Sequence, residues 1–95
     1  MVVYKFYKND CAPCYALARI LNHIDIPDHI EIVNKNIGID ENRNLAKSNN
    51  IDKVPALMFE DGTKLVGLKT EEEVLNFFGK ETLQVWNFPS SNNSG

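Results

Sequence analysis

The chain has 95 residues, of which 43% are hydrophobic, and its net charge is -3. This length supports a single hydrophobic core and excludes additional core-forming domains. Lysines and acidic residues are interspersed without a basic stripe, and the apolar runs are short, so neither nucleic acid nor a membrane is an expected partner.

The first part of the chain predicts a β-α-β unit. Residues 2–7 are rich in β-branched and aromatic side chains, which favours a buried strand. Helical spacing of apolar residues begins at Pro13, a residue suited to a first helical turn. Pro27 ends this segment, and Ile30 to Val33 should form a second strand parallel to the first.

A short helix and a hairpin are predicted next. Asp40 can cap a helix over residues 41–48. The pair Asp61-Gly62 separates two strand-like segments, residues 56–60 and 63–66, and an Asp-Gly pair in this position indicates a tight turn. These two strands should therefore be antiparallel.

The last predicted element is a helix opened by a capping box. Thr70 is followed three residues later by Glu73, and Gly79 should end the helix. The predicted architecture is α/β, in the order β-α-β-α-β-β-α. We expect one domain over residues 1–79 and a C-terminal extension over residues 80–95, whose final residues have the composition of a mobile tail.

Both cysteines lie in the segment Cys11-Ala12-Pro13-Cys14, between the first strand and the first helix. Two intervening residues at the start of a helix bring the sulfurs within bonding distance, so a reversible disulfide is expected. The helix N-terminus should stabilise the Cys11 thiolate, although the anion at Asp10 opposes this effect. Cys11 is therefore the predicted nucleophile and the more exposed thiol, and Cys14 is the resolving thiol.

A zinc-like site is an alternative for the cysteines, because Cys11, Cys14, His23 and His29 have spacings also found in metal sites. His23 falls at the far end of the predicted helix, which would be about 15 Å long. A shared tetrahedral centre is thus disfavoured. We expect no bound metal and no other cofactor, and the redox-active disulfide itself performs the chemistry.

A second motif, Ile51-Asp52-Lys53-Val54-Pro55-Ala56-Leu57, lies at the start of the third predicted strand. With the Cys-x-x-Cys motif, it resembles the thioredoxin/glutaredoxin superfamily over roughly residues 2–79. The resemblance implies a thioredoxin fold of the minimal, glutaredoxin-like type with a four-stranded mixed sheet. It also implies a cis bond between Val54 and Pro55 beside the dithiol.

The resemblance further implies the roles of several residues. The backbone of Val54 would pair with an extended substrate strand, and Pro55 would face the disulfide. Lys8 would lie near the thiolate, and Gly67 would allow a partner's backbone to approach. Lys5 occupies the position where thioredoxins keep a buried aspartate. We expect its ammonium group to snorkel or to lie on an edge strand.

The implied function is a thiol-disulfide oxidoreductase that reduces protein disulfides. Its partners would be disulfide-containing proteins and, as electron source, a thioredoxin-reductase-type enzyme or glutathione. Two cysteines this close together cannot cross-link a whole domain as in secreted mini-proteins, so we expect a reducing, cytoplasmic location. We also expect a monomer.

Two alternatives remain. One is a glutathione-dependent glutaredoxin-like reductase, although Lys53 and the stretch Gly67-Leu68-Lys69-Thr70 match the glutaredoxin pattern poorly. The other is a non-catalytic interaction module that binds a partner through the C-terminal segment containing Trp86 and Phe88.

Overall fold

The computed structural model describes residues 1–79. Its elements are β1 (Val2–Tyr7), α1 (Ala12–His23), β2 (Glu31–Asn36), α2 (Asp40–Ser48), β3 (Ala56–Phe59), β4 (Lys64–Val66) and α3 (residues 71–79). The predicted element order is confirmed. The proposed extension over residues 80–95, with Trp86 and Phe88, lies outside the described residues, and the domain boundary at residue 79 stays a prediction.

The four strands form one mixed sheet in the order β2-β1-β3-β4. β1 is parallel to β2 and antiparallel to β3, and β3 is antiparallel to β4. β1 is therefore an inner strand. The parallel pair and the hairpin both agree with the sequence prediction, and the sheet is the four-stranded mixed sheet that the resemblance implied.

The alternation of side chains along β1 divides the core between the two faces of the sheet. Val3 and Phe6 are both fully buried, but they belong to different clusters. Val3 packs with apolar residues of α1 and α3, and Phe6 packs with Ala46 of α2. Hence α1 and α3 cover one face of the sheet, and α2 covers the other.

Aromatic packing fixes α3 against the sheet. The rings of Phe59 and Phe77 stack with their centroids 4.6 Å apart, and Phe78 meets Phe59 edge-on. All three side chains are buried. Burial of each such side chain contributes roughly 1.5–3 kcal/mol.

The helix ends differ in part from the sequence prediction. The N-cap of α2 is Ile39, which has no side-chain capping bond, and Asp40 instead lies in the first turn and pairs with Arg43. The predicted capping role of Asp40 is therefore wrong. Gly79 is helical and is the last of the described residues, so its predicted role at the end of α3 stays a prediction. None of the helices within residues 1–79 has the length and apolar character needed to cross a membrane.

The capping box at α3 is confirmed. The backbone N–H of Glu73 donates to Thr70 Oγ1 (3.1 Å), and the backbone N–H of Thr70 donates to Glu73 Oε1 (3.0 Å). The hydrogen bonds that the backbone N–H and the hydroxyl of Thr70 donate to the Glu73 carboxylate lower the pKa of Glu73 below its usual value.

Candidate active site

A disulfide joins Cys11 and Cys14 at the N-terminus of α1, with their Cα atoms 5.2 Å apart. Cys11 is the N-cap residue in an extended conformation, and its Sγ accepts a hydrogen bond from the backbone N–H of Cys14 at 3.2 Å. Pro13 lies in the first turn, where a missing N–H leaves no carbonyl unpaired. The local sequence thus places both sulfurs at the positive end of the helix.

The two cysteines are almost equally buried in this oxidised state. Cys11 is 5% exposed and Cys14 is 6% exposed. The expectation that Cys11 is the more exposed thiol concerns the reduced protein and stays a prediction. Asp10, which precedes Cys11, is exposed and has a left-handed backbone with a φ of 54°.

The loop before β3 contains a cis peptide bond between Val54 and Pro55, as the resemblance implied. Ala56, which follows, pairs with Phe6 near the C-terminal end of β1. The chain passes from that same end of β1 into the loop that leads to Cys11. The register therefore brings the cis-proline loop and the disulfide to one end of the sheet.

Gly67 lies directly beside the cis-proline loop. Its backbone N–H donates to the carbonyl oxygen of Pro55 (2.8 Å), and its φ is +89°. A Cβ atom at this position would lie 3.7 Å from Lys53 Cδ. The structure thus brings together two of the predicted site residues, Gly67 and Pro55, and places Lys53 near Gly67.

A small cavity of about 270 Å³ lies behind Cys14, between α1 and the β1–β2 side of the sheet. Both Lys5 and Lys8 line it. Lys5 is half-buried, and its Nζ lies 5.6 Å from the centre of the Tyr7 ring. Burial lowers the pKa of Lys5 below its usual value. Lys5 lies on an inner strand, so the edge location considered from the sequence is wrong.

The sequence model of the thioredoxin family matches residues 1–80. The chain belongs to the thioredoxin family. Together with the Cys11–Cys14 disulfide, this membership indicates oxidoreductase chemistry of the thiol-disulfide type.

Solved thioredoxins share the fold. A variant of thioredoxin from Halobacterium salinarum is 27% identical, with a TM-score of 0.65 over 82% of this chain and 71% of its own. Mitochondrial thioredoxin 3 from Saccharomyces cerevisiae, in its oxidized form, is 22% identical, with a TM-score of 0.65 over 81% of this chain and 74% of its own. A thioredoxin-like protein at 18% identity has a TM-score of 0.63 over 79% and 97% of the two chains. No sequence match was found among curated proteins.

Two surface grooves of this thioredoxin-family domain were not predicted from the sequence. One, of about 620 Å³, lies beside α2, and its lining residues include Lys47, Lys53 and Val54. The other, of about 560 Å³, lies between α1 and the loop after β4 and is lined by Ile20 and Leu68. Leu68 is 47% exposed. The sequence signal for this groove was the apolar residue Leu68 directly after Gly67.

The histidines of the alternative metal site do not join the cysteines. Within residues 1–79, no three His, Cys, Asp or Glu side chains are grouped closely enough to hold a metal ion. His23 is the last residue of α1, at the opposite end from Cys11, and His29 lies in the loop before β2. The four-residue zinc arrangement is therefore not supported.

Proposed function

We propose that this protein is an oxidoreductase that reduces disulfides in other proteins through Cys11 and Cys14. The observation that supports it best is the Cys11–Cys14 disulfide at the N-terminus of α1, within a thioredoxin-family domain. A helix N-terminus stabilises the thiolate that disulfide exchange requires. Both reacting sulfurs belong to one chain, so we propose that the protein acts as a monomer. We also propose that it acts in a reducing compartment such as the cytoplasm, where a dithiol is kept reduced.

The reaction begins with the dithiol form. The Cys11 thiolate attacks one sulfur of the target disulfide and forms a mixed disulfide, and the second target sulfur leaves as a thiolate that takes up a proton. Cys14 then loses its proton and attacks Cys11 Sγ. The Cys11–Cys14 bond forms, the remaining target sulfur leaves as a thiolate, and two electrons have passed to the target.

The cis-proline loop is the proposed binding surface for the target. The backbone of Val54 would pair with an extended segment of the target beside its disulfide. Val54 is half-buried and is one of the residues that line the groove beside α2. Gly67, hydrogen-bonded to Pro55, leaves room beside the loop for a second backbone. Lys8 is exposed near the cysteines, where its charge favours a thiolate.

We propose a flavin-dependent reductase of the thioredoxin-reductase type as the electron source. The residues around Gly67 support this proposal over glutathione. Lys53 replaces the glutaredoxin threonine, and Leu68 adds a large exposed side chain next to Gly67. The Thr70 hydroxyl is hydrogen-bonded to Glu73 within the capping box and bears no charge for the ammonium group of glutathione. No organic cofactor or metal takes part in the proposed chemistry.

Cysteine variants test the function directly. The rate at which the protein catalyses reduction of a disulfide-containing protein such as insulin, with dithiothreitol as reductant, should fall to the uncatalysed level in Cys11→Ser. Cys14→Ser should accumulate a mixed disulfide between Cys11 and the target, detectable by mass spectrometry. Ala16→Ser, also on α1 but outside the motif, serves as the control and should keep the wild-type rate. Full activity of Cys11→Ser would contradict the proposal and favour a non-catalytic interaction module.

A further inference from the structure

Lys5 is an unusual residue for the middle of an inner strand. Its backbone pairs with Asn34 of β2 on one side and with Leu57 of β3 on the other. By alternation along β1, its side chain lies on the same face as Val3, the face that α1 covers. The Nζ atom lies over the ring of Tyr7. Tyr7 is the last residue of β1, so the amine is directed toward the end of the sheet that carries the cysteines.

The cavity lined by Lys5 is also lined by Cys14, one of the two reacting cysteines. Its titratable lining groups are Tyr7 of β1, Lys8 of the following loop, Cys14 and Tyr15 of α1, and Lys5 itself. The remaining lining residues are uncharged, namely Asn9, Ala18 and Asn34. Within the described part of the chain, no carboxylate lines this cavity, and the one ion pair is the distant pair of Asp40 and Arg43.

The charge of this cavity depends on the redox state. In the disulfide form Cys14 is uncharged, and the loss of hydration on burial lowers the pKa of the half-buried Lys5 ammonium. On reduction Cys14 becomes a thiol that can ionise. Among the residues that line this cavity, Cys14 is the one whose bonding changes on reduction, so it is the group whose charge can differ between the two redox states.

We propose that Lys5 is a positioning residue that stabilises the Cys14 thiolate, so that reduction of the disulfide and protonation of Lys5 favour each other. This inference rests on the proposed function of the dithiol. In the resolving step Cys14 gives its proton to water and its sulfur bonds to Cys11 Sγ, while the target sulfur departs with the electron pair. Lys5 keeps its own proton throughout. It acts through its charge on Cys14 and contacts no substrate.

The proposed effect of Lys5 on Cys14 can be tested without a protein target, by measuring the redox potential of the Cys11–Cys14 disulfide. We expect Lys5→Met to lower the equilibrium constant for reduction about tenfold, which makes the potential more negative by about 30 mV. Lys5→Arg keeps the cation and should stay close to the wild-type potential. Lys35→Met is the matched control, because Lys35 Nζ lies 5.4 Å from the ring of Tyr4, on the face of the sheet that α2 covers.

A second measurement uses the wild-type protein, so it does not depend on how the variants fold. Because coupling between two sites is reciprocal, Lys5 should hold its proton to higher pH in the dithiol form than in the disulfide form. Side-chain NMR titration of lysine in the two redox states reads this difference directly. Equal Lys5 titration midpoints in the two states, or equal potentials in wild type and Lys5→Met, would overturn the inference.

These outcomes separate the inference from the proposed function. A protein that shows the Lys5 shift but does not reduce target disulfides contradicts only the oxidoreductase assignment. A protein that reduces targets with the same potential in wild type and Lys5→Met contradicts only the role of Lys5.

Discussion

Gly67 donates its backbone N–H to the carbonyl oxygen of Pro55 across 2.8 Å, which ties the end of β4 to the loop that opens β3. The φ of Gly67 is +89°, in a region that residues with a Cβ atom rarely adopt. Steric room is not the constraint, because a Cβ atom would meet Lys53 Cδ at an ordinary contact distance of 3.7 Å. The backbone conformation itself therefore requires glycine at this position.

We expect Gly67→Ala to destabilise the protein by roughly 1–2 kcal/mol, because alanine must adopt a left-handed conformation or break the bond to Pro55. Turnover of a protein disulfide should fall as well, since the cis-proline loop is the proposed binding surface. Denaturant unfolding and the insulin assay measure the two effects. Gly79→Ala is the control, because Gly79 is helical with nothing within 4 Å of its virtual Cβ. A stable and fully active Gly67→Ala would show that this backbone geometry is dispensable.

Asp10 offers a test of the charge balance at Cys11. We expect Asp10→Asn to shift the rise of thiolate absorbance to lower pH by about half a unit, because an exposed anion next to the nucleophile is removed. Asparagine tolerates the left-handed backbone found at this residue, so the fold should be unaffected. Asp25→Asn, beyond the opposite end of α1, should leave the titration unchanged. The same midpoint in wild type and Asp10→Asn would exclude a role for Asp10.

Local sequence signals accounted for much of the fold. The pair Asp61-Gly62 forms the predicted turn, in which Gly62 has a φ of 96° and Asp61 Oδ1 accepts the N–H of Thr63. The capping box and the dithiol at the start of α1 were likewise visible as short motifs. In each case the residues that interact are within three positions of one another, so the geometry depends little on the rest of the chain.

What the sequence left open depends on contacts between distant segments. Asp40 has the chemistry of an N-cap, but its carboxylate pairs with Arg43, whose side chain also donates to the Ile37 carbonyl. The surroundings of Lys5 could not be predicted, because they require the register of β1 against its neighbours and the placement of α1. The grooves beside Val54 and Leu68 arise in the same way, from the packing of helices and loops that are far apart in sequence.

The capping box predicts a pH-dependent contribution to stability. The pKa of Glu73 is lowered by its hydrogen bonds to Thr70, so the carboxylate binds fewer protons in the folded state than in the unfolded state. Its contribution is therefore present above the unfolded value, near pH 4.3, and is lost as the pH falls through the lowered folded value. Glu73→Gln should flatten the acid side of the stability profile measured by denaturant unfolding.

Thr70→Ala tests the other half of the capping box. Loss of the hydroxyl that accepts the Glu73 N–H should cost about 1 kcal/mol at neutral pH. Glu72→Gln is the matched control for the acid profile, because Glu72 is exposed on the same turn of α3 and is outside the capping box. An acid profile of Glu73→Gln identical to that of wild type would argue against this account.

The electron source can be decided by competition between two reductants. We expect a thioredoxin-reductase-type enzyme with NADPH to restore the oxidised protein at least tenfold faster than glutathione does, because Lys53 replaces the glutaredoxin threonine and Leu68 adds a large exposed side chain next to Gly67. The double variant Lys53→Thr, Leu68→Gly should gain glutathione-dependent turnover severalfold. Leu75→Gly, at an exposed leucine of α3 away from this loop, should show no gain. Rapid reduction of the wild-type protein by glutathione and none by the reductase would place its activity with the glutaredoxins.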